Sequence, residues 1–530
     1  MAHPEETDSN MEKNRKMGRL WQTYAVIGMA AVCSGLVSAE ETVISTDPPP
    51  FRAAREPVLK VEIPSLVAQL VAQNVRVKIT NLDRDVAMLA LKKAEAVFET
   101  SLKASAKLDN IDTPNSAEQK ASRFNEPEFT EYGRHYTVGV EKLFATGGTL
   151  KLDTGISRLN NSVIAHYNQD AEHYVTGSVA LNQPLLKGRG ETATMAAIKQ
   201  AEIETHISLQ DFRKILMQNI YQALVSYWDL YSAQKIVENQ NTSIRIVEQI
   251  LLDDQERVRT GRGSEADVIA TQAALAQRHA AAHLAEQAVW EAMNQLRKYL
   301  ALLSHEGPQK LEAADAPSKD KPIDHDYDAA VLNGFKWRPE YLTQQETIKK
   351  SGISLEYAKN QLLPQLDLQA SYTVNGINRT LGTTMDDTLG TRYNSWSTGL
   401  TLSFPIEGNQ AAKSEKRAAE TKIEQALLAL KEVEIMITTD IDSALRNVQN
   451  TQAQLNELRA AEATMEKLFA VEKIRMREGQ SNSRLLLQRE ESLNLARKAS
   501  IDSQVNLEKA RMKEQLVEGS LLQSFNQELL

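Results

Sequence analysis

Cysteine, glycine, proline and aromatic residues are all scarce in this sequence. Its 530 residues include 1 cysteine, 23 glycines and 15 prolines, and aromatic residues make up only 5%. So little glycine and proline excludes a collagen-like or low-complexity chain, and the remaining mixture is typical of long helices. Because Cys33 is the sole cysteine, the chain can form no internal disulfide and no multi-cysteine metal site.

An excess of one charge and long apolar runs are also lacking. The 61 basic and 70 acidic residues give a net charge of −9, and both signs are interspersed along the chain. This distribution offers no basic face, so we expect no nucleic-acid partner. The longest apolar stretch, residues 24–39, is shorter than the roughly 20 residues of a membrane-spanning helix.

Residues 1–39 have the three parts of a secretory signal peptide. Basic side chains come first, an apolar segment follows at 24–36, and small residues end the segment at Ala39. The basic side chains are Lys13, Arg15, Lys16 and Arg19. Cleavage after Ala39 would remove Cys33. The open alternatives are a buried or anchoring helix, lipidation of Cys33, and translation from Met11 or Met17 rather than Met1.

The rest of the chain is predicted to be a duplication. Its segments are a proline-rich extension at 40–62, a first repeat at 63–305, a linker at 306–330, a second repeat at 331–519 and a tail at 520–530. In each repeat a proline–glycine motif is followed by a long stretch that contains neither residue, and then by a glycine turn. The two stretches are 191–260 and 409–478. The two stretches have the same length and lie between corresponding motifs, which predicts two copies of one unit.

Each unit is expected to contain a long antiparallel helical hairpin, at residues 188–304 and 408–518. At 1.5 Å per residue, an unbroken helix through either stretch would be about 105 Å long. Apolar residues recur every three or four positions, as in Ile244, Val247 and Leu251. This near-3.5 period indicates coiled-coil packing.

Short segments of alternating polarity flank the helices. The predicted strands lie near residues 136–160, 173–187, 365–377 and 393–406. Each has one apolar and one polar face, which is the pattern of a membrane strand around a water-filled interior; a half-buried soluble sheet has the same alternation. Four strands cannot close a barrel, and open sheet edges are not tolerated in lipid. If the strands span a membrane, three chains would together supply twelve.

Four motifs carry a family resemblance. They are LNQPLLKG at 181–188, RPE at 338–340, AKNQLLPQL at 358–366 and LTLSFPIEG at 400–408. On these motifs, residues 63–518 resemble the TolC-like outer-membrane efflux proteins. The resemblance implies a mostly α fold with membrane β structure. It would have duplicated antiparallel helical hairpins, four amphipathic strands per chain, and a trimer whose chains share a twelve-strand barrel.

The same resemblance implies a passive exit duct of a tripartite efflux or type I secretion system. The duct would lie in the outer membrane of a Gram-negative-type bacterium, with a helical tunnel in the periplasm. Its partners would be outer-membrane lipid, a periplasmic adaptor, and an inner-membrane pump or ABC exporter. No catalytic activity, cofactor or metal is expected, and no cargo is indicated. The alternative is a periplasmic coiled-coil adaptor, which would carry one helical hairpin and glycine-rich β domains.

The turns between paired helices are the candidate adaptor-docking sites, because the family uses these turns at its adaptor-facing end. The first turn is Thr260, Gly261, Arg262, Gly263 and Ser264. The second is Glu478, Gly479, Gln480, Ser481 and Asn482. Glycine permits a positive φ and close backbone approach, and its role could also be limited to making the turn.

The candidate residues of a periplasmic aperture are Asp267, Arg477, Arg484, Leu485 and Gln488. By the resemblance, Leu485 and Gln488 stand where the family has the aspartates of its constriction, so no acidic ring is expected. Two roles remain open for Asp267. It could complete a capping box that begins at Ser264, or it could pair with Arg477 or Arg484 of a neighbouring hairpin and hold the aperture shut.

Overall fold

The structure is a computed structural model, and it describes residues 58–166, 170–302, 310–318 and 326–525. The predicted signal peptide with Cys33, most of the proline-rich extension and part of the linker lie outside the described residues. Within them the chain is mostly helical with a smaller share of strand, so the expected fold class is confirmed. Among the described helices, none combines the length and the apolar character that a bilayer crossing requires.

The long helices of the two predicted repeats match in length. The helices of the first are α1 (Ile63–Gln73), α2 (Val75–Glu95), α3 (Ala117–Ser122), α4 (Ser162–His166), α5 (Glu191–Thr194), α6 (Ala196–Arg259) and α7 (Glu265–Tyr299). Those of the second are α8 (Tyr327–Trp337), α9 (Pro339–Gln361), α10 (Leu381–Leu389), α11 (Gln410–Arg477) and α12 (Ser483–Val517). The long helices α6 and α11 have 64 and 68 residues, and their partners α7 and α12 have 35 each.

The strands form one large and one small sheet. They are β1 (Leu59–Val61), β2 (Ser101–Pro114), β3 (Glu128–Leu143), β4 (Thr149–Asn161), β5 (Glu172–Pro184), β6 (Leu311–Ala313), β7 (Gln365–Asn378) and β8 (Tyr393–Ser403). Strands β1 and β6 pair in parallel as a two-stranded sheet. The large sheet has the order β2-β3-β4-β5-β7-β8, and every neighbouring pair in it is antiparallel.

The predicted number of strands is wrong, because the large sheet has six strands rather than four. The segment near 136–160, expected as one strand, contains parts of β3 and β4 and the turn between them, where Gly147 has a φ of +87°. Strand β2 was not expected at all. Its apolar face gives a weak signal because Ala104 and Ala106 separate the leucines Leu102 and Leu108.

The main apolar core surrounds the middle of α6. Tyr227 is fully buried there, and its hydroxyl oxygen accepts a hydrogen bond from the backbone N–H of Asp315 at 2.9 Å. The same hydroxyl lies 3.1 Å from the carbonyl oxygen of Val61, next to the β1–β6 sheet. A buried tyrosine needs such partners for its hydroxyl. The small sheet is thereby fixed against the long helix.

The connections between strands place the helical turns far from the sheet. Short helices α3, α4 and α10 occupy the loops at one end of the large sheet. At the other end, β5 and β8 lead into the long helices α6 and α11. The turns that end those helices therefore lie at the far end of the hairpins from the strands.

Candidate functional site: the helix-turn tips

The two turns between the long helices and their partners form the candidate site. Residues 260–264, here the first tip, join α6 to α7, and residues 478–482, the second tip, join α11 to α12. All five residues of the first tip are exposed, and in the second only Ser481 is partly buried.

Both tips have the same backbone hydrogen bonds. The N–H groups of Gly261 and Gly479 donate to the carbonyl of the second-last residue of the preceding helix, at 3.0 and 3.1 Å. The N–H groups of the next residues, Arg262 and Gln480, donate to the carbonyl of the third-last residue, at 2.7 and 2.8 Å. This pair of bonds is the Schellman motif, and it needs a left-handed residue where the glycines have φ of +70° and +76°. The turn therefore explains both glycines.

Side-chain caps begin the second helix of each hairpin. The hydroxyl of Ser264 accepts from the N–H of Ala266 at 3.2 Å, and the amide oxygen of Asn482 accepts from the N–H of Leu485 at 2.9 Å. The backbone N–H of Asp267 bonds to the carbonyl of Ser264 at 3.0 Å. Within the described part of this single chain, the half-buried carboxylate of Asp267 makes no hydrogen bond or ion pair. It remains available to a neighbouring chain.

The exposed surface of the tips carries several cations. Arg259 donates two hydrogen bonds to Glu256, at 2.6 and 2.7 Å, and this contact lowers the pKa of Glu256. Arg262, Arg477 and Arg484 are exposed. Of the two residues at the expected constriction, Leu485 is half-buried and Gln488 is exposed. The surface offered by one chain is therefore polar and contains guanidinium groups.

A buried carboxylate lies directly behind the tips. Asp254 of α6 is only 2% exposed, and it accepts a hydrogen bond from the hydroxyl of Thr271 on α7 at 2.7 Å. Ser483, the first residue of α12, donates a second bond to the same carboxylate. Asp254 therefore joins three helices from both repeats. Asp254 was not among the predicted site residues, although it follows Val247 by one heptad and interrupts an apolar seam.

Further along the helices from the tips, a buried ion pair joins the two repeats. Nε and Nη2 of Arg278 on α7 donate to one carboxylate oxygen of Glu490 on α12, at 3.2 and 3.0 Å. The hydroxyl of Ser243 on α6 donates to the other oxygen. Arg278 is 8% and Glu490 2% exposed. Charges this deep are stable only when they are paired and hydrogen-bonded, and both conditions are met here.

Further polar contacts between α6 and α12 continue this series. Asn239 donates to the carbonyl of Asn494 at 3.1 Å, and Ser232 donates to Asp502 at 2.9 Å. We call the series the inter-repeat polar contacts. Their members are Ser232, Asn239, Ser243 and Asp254 on α6, Arg278 on α7, and Ser483, Glu490, Asn494 and Asp502 on α12. The series covers about 33 Å of α6 at 1.5 Å per residue, and it fixes the two hairpins in one register.

Metal chemistry receives no support from the described residues. None of their His, Cys, Asp and Glu side chains form a group of three or more that could hold a metal ion. His283, which follows His279 by one helical turn, lies 3.3 Å from Glu286 on an exposed face.

Comparison with known families finds a match to most of the predicted second repeat. Residues 348–518 match the model of the outer membrane efflux protein family. The predicted resemblance to TolC-like outer-membrane efflux proteins is confirmed. The matched segment contains the second tip and all of α12, so the α12 members of the inter-repeat polar contacts lie within the matched segment. A search of curated proteins finds no match.

Solved structures extend the likeness to most of the chain. The CmeC outer membrane channel of Campylobacter jejuni is 14% identical with a TM-score of 0.65, over 87% of this chain and 86% of that one. VceC of Vibrio cholerae is 13% identical with a TM-score of 0.62, over 86% and 96%. The MtrE channel of Neisseria gonorrhoeae is 14% identical with a TM-score of 0.61, over 87% and 89%. At these identities the likeness establishes the fold: this chain folds as those outer membrane channels do.

Proposed function

We propose that this protein is the outer-membrane exit duct of a tripartite efflux or type I secretion system. In this role, three chains form a passive channel whose strands lie in the outer membrane and whose helices line a periplasmic tunnel. The observation that carries the proposal is the large sheet, which has one exposed apolar face and continues directly into helices of 64 and 68 residues. At 1.5 Å per residue those helices reach about 100 Å from the membrane.

The tips are the proposed contact with the periplasmic adaptor. They lie at the end of the hairpins opposite to the sheet, which in a channel of this kind points toward the inner membrane. The adaptor would connect the tips to an inner-membrane pump or ABC exporter. The identical turn geometry of both tips supports this role, because a trimer would present six equivalent turns to the adaptor.

The molecular mass in mild detergent tests the proposal. A duct is expected to require detergent for extraction and to have the mass of three chains, because one chain leaves both edges of its large sheet unpaired. The same preparation is expected to form pores in planar bilayers. A monomer inserted in lipid would contradict the proposal, and a detergent-free soluble protein without pore activity would favour the adaptor alternative.

The proposed aperture gives a prediction for Asp267. If its carboxylate pairs with Arg477 or Arg484 of a neighbouring chain, Asp267→Asn is expected to raise bilayer conductance, and high salt is expected to do the same to the unmodified protein. Each exposed pair contributes about 0.2–1 kcal/mol, so three pairs contribute about 0.6–3 kcal/mol to the closed state. Glu265→Gln is the matched control, because Glu265 is an exposed acid in the same helical turn. Unchanged conductance with a small loss of stability would mean that Asp267 only stabilises the first turn of its helix, where an acid is favourable.

A further inference from the structure

The first repeat contains a β-hairpin that the second repeat lacks. Between α2 and α6 the chain forms four strands of the large sheet, whereas between α9 and α11 it forms only β7 and β8. The additional pair is the hairpin of β2 and β3. Its strands are long, with 14 and 16 residues, and all fourteen residues of β2 are paired with β3.

This hairpin has the same two faces as the rest of the sheet. A row of directly paired apolar side chains crosses all six strands; its members are Leu102, Val140, Leu152, Val179, Tyr372 and Trp396. The adjacent row lies on the opposite face and is polar or small; its members are Lys103, Gly139, Asp153, Ser178, Thr373 and Ser395. One apolar and one polar face is the pattern of a strand between lipid and water. By this criterion β2 and β3 belong to the membrane-facing sheet.

The turn between β3 and β4 is fixed to the junction of sheet and helix. The carbonyl of Thr146 accepts hydrogen bonds from the backbone N–H of Gly190 at 2.9 Å and from the side-chain amide of Gln183 at 3.1 Å. Gly147 lies so close to the carbonyl of Gly188 that an added Cβ would come within 2.3 Å of its oxygen. The hairpin is therefore joined to the sheet along β3 and to the helical part through this turn.

The edges of the sheet are β2 and β8. Every residue of β8 is exposed, and in β2 only Asp109 is partly buried. The six strands alternate in direction, so β8 of one chain and β2 of the next can meet as an antiparallel pair. Charge does not oppose this contact, because β8 has no charged residue and Lys103 of β2 is already paired with Glu141.

We propose that β2 of each chain pairs with β8 of its neighbour, so that three chains close a barrel of eighteen strands. The inference rests on the proposed function, because only a chain in lipid must satisfy both edges in this way. Barrel diameter grows roughly in proportion to strand number, and barrels of 16–18 strands enclose an aqueous channel. The exit would be about 1.5 times as wide as a twelve-strand exit. The barrel would then not be the narrowest part of the duct.

Engineered cysteine pairs test which strand meets β8 of the neighbour. Cys33 is the only native cysteine, so Cys33→Ser gives a cysteine-free background. In that background, Lys103→Cys, Ser105→Cys or Lys107→Cys on β2 is combined in turn with Ser395→Cys, Ser397→Cys or Gly399→Cys on β8. All six positions lie on the polar face, and the panel covers several registers. After oxidation we expect at least one pair to give covalently linked dimers and trimers on denaturing gels.

The rival arrangement is tested with the same β8 positions. In a twelve-strand barrel β4 would be the edge, so Lys151→Cys or Ser157→Cys with Ser395→Cys or Ser397→Cys would link chains. The pair Ser371→Cys and Ser397→Cys is the control for oxidation, because the two hydroxyl oxygens lie 2.8 Å apart in one chain and should give only an internal disulfide. Links through β4 would overturn the eighteen-strand barrel and leave the duct intact. Native trimers without β2–β8 links, when the control has oxidised, would also overturn it, whereas loss of the trimer itself would contradict the proposed function.

Discussion

Replacing Glu490 with glutamine is expected to lower the free energy of unfolding by about 3–5 kcal/mol, because it leaves the buried guanidinium of Arg278 with only the distant, exposed carboxylate of Glu491 as a counter-charge. Glutamine keeps the volume and can still accept a hydrogen bond from Ser243, so the change isolates the charge. Arg278→Met is expected to have a similar effect for the opposite reason, since it leaves the carboxylate of Glu490 buried without its cation. Both effects are measured by unfolding each variant with denaturant at a constant detergent concentration and following the signal of the helices. A lower transition midpoint with an unchanged slope reports the loss of stability.

Two further variants make the experiment specific. Glu491→Gln removes the adjacent acid, which lies 4.0 Å from the same guanidinium but is exposed; it is expected to change stability by no more than about 0.5 kcal/mol. The double variant Arg278→Met with Glu490→Leu replaces the whole pair by apolar groups, which is often neutral or stabilising. If Glu490→Gln and Glu491→Gln destabilise equally, the buried pair is not important for holding the hairpins together.

The double variant also addresses register. Leucine and methionine would fill the space without specifying a partner, whereas Ser232, Asn239 and Asp254 would still make directional contacts between α6 and α12. A stable double variant with unchanged pore conductance would mean that the remaining inter-repeat polar contacts are sufficient to align the two hairpins. A stable variant with altered conductance would mean that the ion pair is needed to align the two hairpins.

The sequence locates the long helices and their turns because glycine and proline act locally. Helices α6 and α11 end just before Gly261 and Gly479, where a positive φ is required. The strands were harder to predict. Alternation in β2 is diluted by alanines. The turn that divides β3 from β4 is marked by Gly147 and Gly148, but the alternating pattern continues on both sides of it, and the two strands were therefore predicted as one segment.

The buried polar groups could not be predicted from local pattern at all. Arg278 and Glu490 are separated by 212 positions, and each looks like an ordinary charged residue on a helix surface that is rich in charge. Only the packing of α12 against α6 and α7 brings them together. Asp254 gives a clearer signal, because a carboxylate at an apolar seam position needs a partner, but the identity of Ser483 as that partner depends on the approach of the second repeat.

A tryptophan at the third position of either turn, directly after the first glycine, is expected to abolish export. Arg262 and Gln480 are equivalent there, and each contributes to its turn through a backbone N–H rather than through its side chain. Arg262→Trp and Gln480→Trp should therefore leave the turns folded while placing three indoles on the surface of a trimer. Because the proposed docking needs close approach to the backbone, the added bulk is expected to prevent contact with the adaptor.

The choice of these positions follows from the geometry of the glycines. A side chain at Gly261 or Gly479 would be strained by the positive φ. One at Gly263 would place its Cβ 3.0 Å from the Cβ of Arg257 and 3.1 Å from the backbone nitrogen of Val258. Loss of export in glycine variants could thus reflect a distorted turn. Arg262→Ala and Gln480→Ala are the matched controls, because they remove the same side chains without adding bulk, and both are expected to retain export.

Three measurements on each variant separate docking from folding. Growth of the producing bacterium on a panel of toxic compounds reports export, relative to a strain that lacks the protein. Chemical crosslinking in cells reports contact with an adaptor, and native mass in detergent reports the trimer. We expect both tryptophan variants to match the strain that lacks the protein and to lose the crosslink while the trimer persists. Normal growth and normal crosslinking in both would show that the tips are not the docking surface, and that their glycines serve only to end the helices.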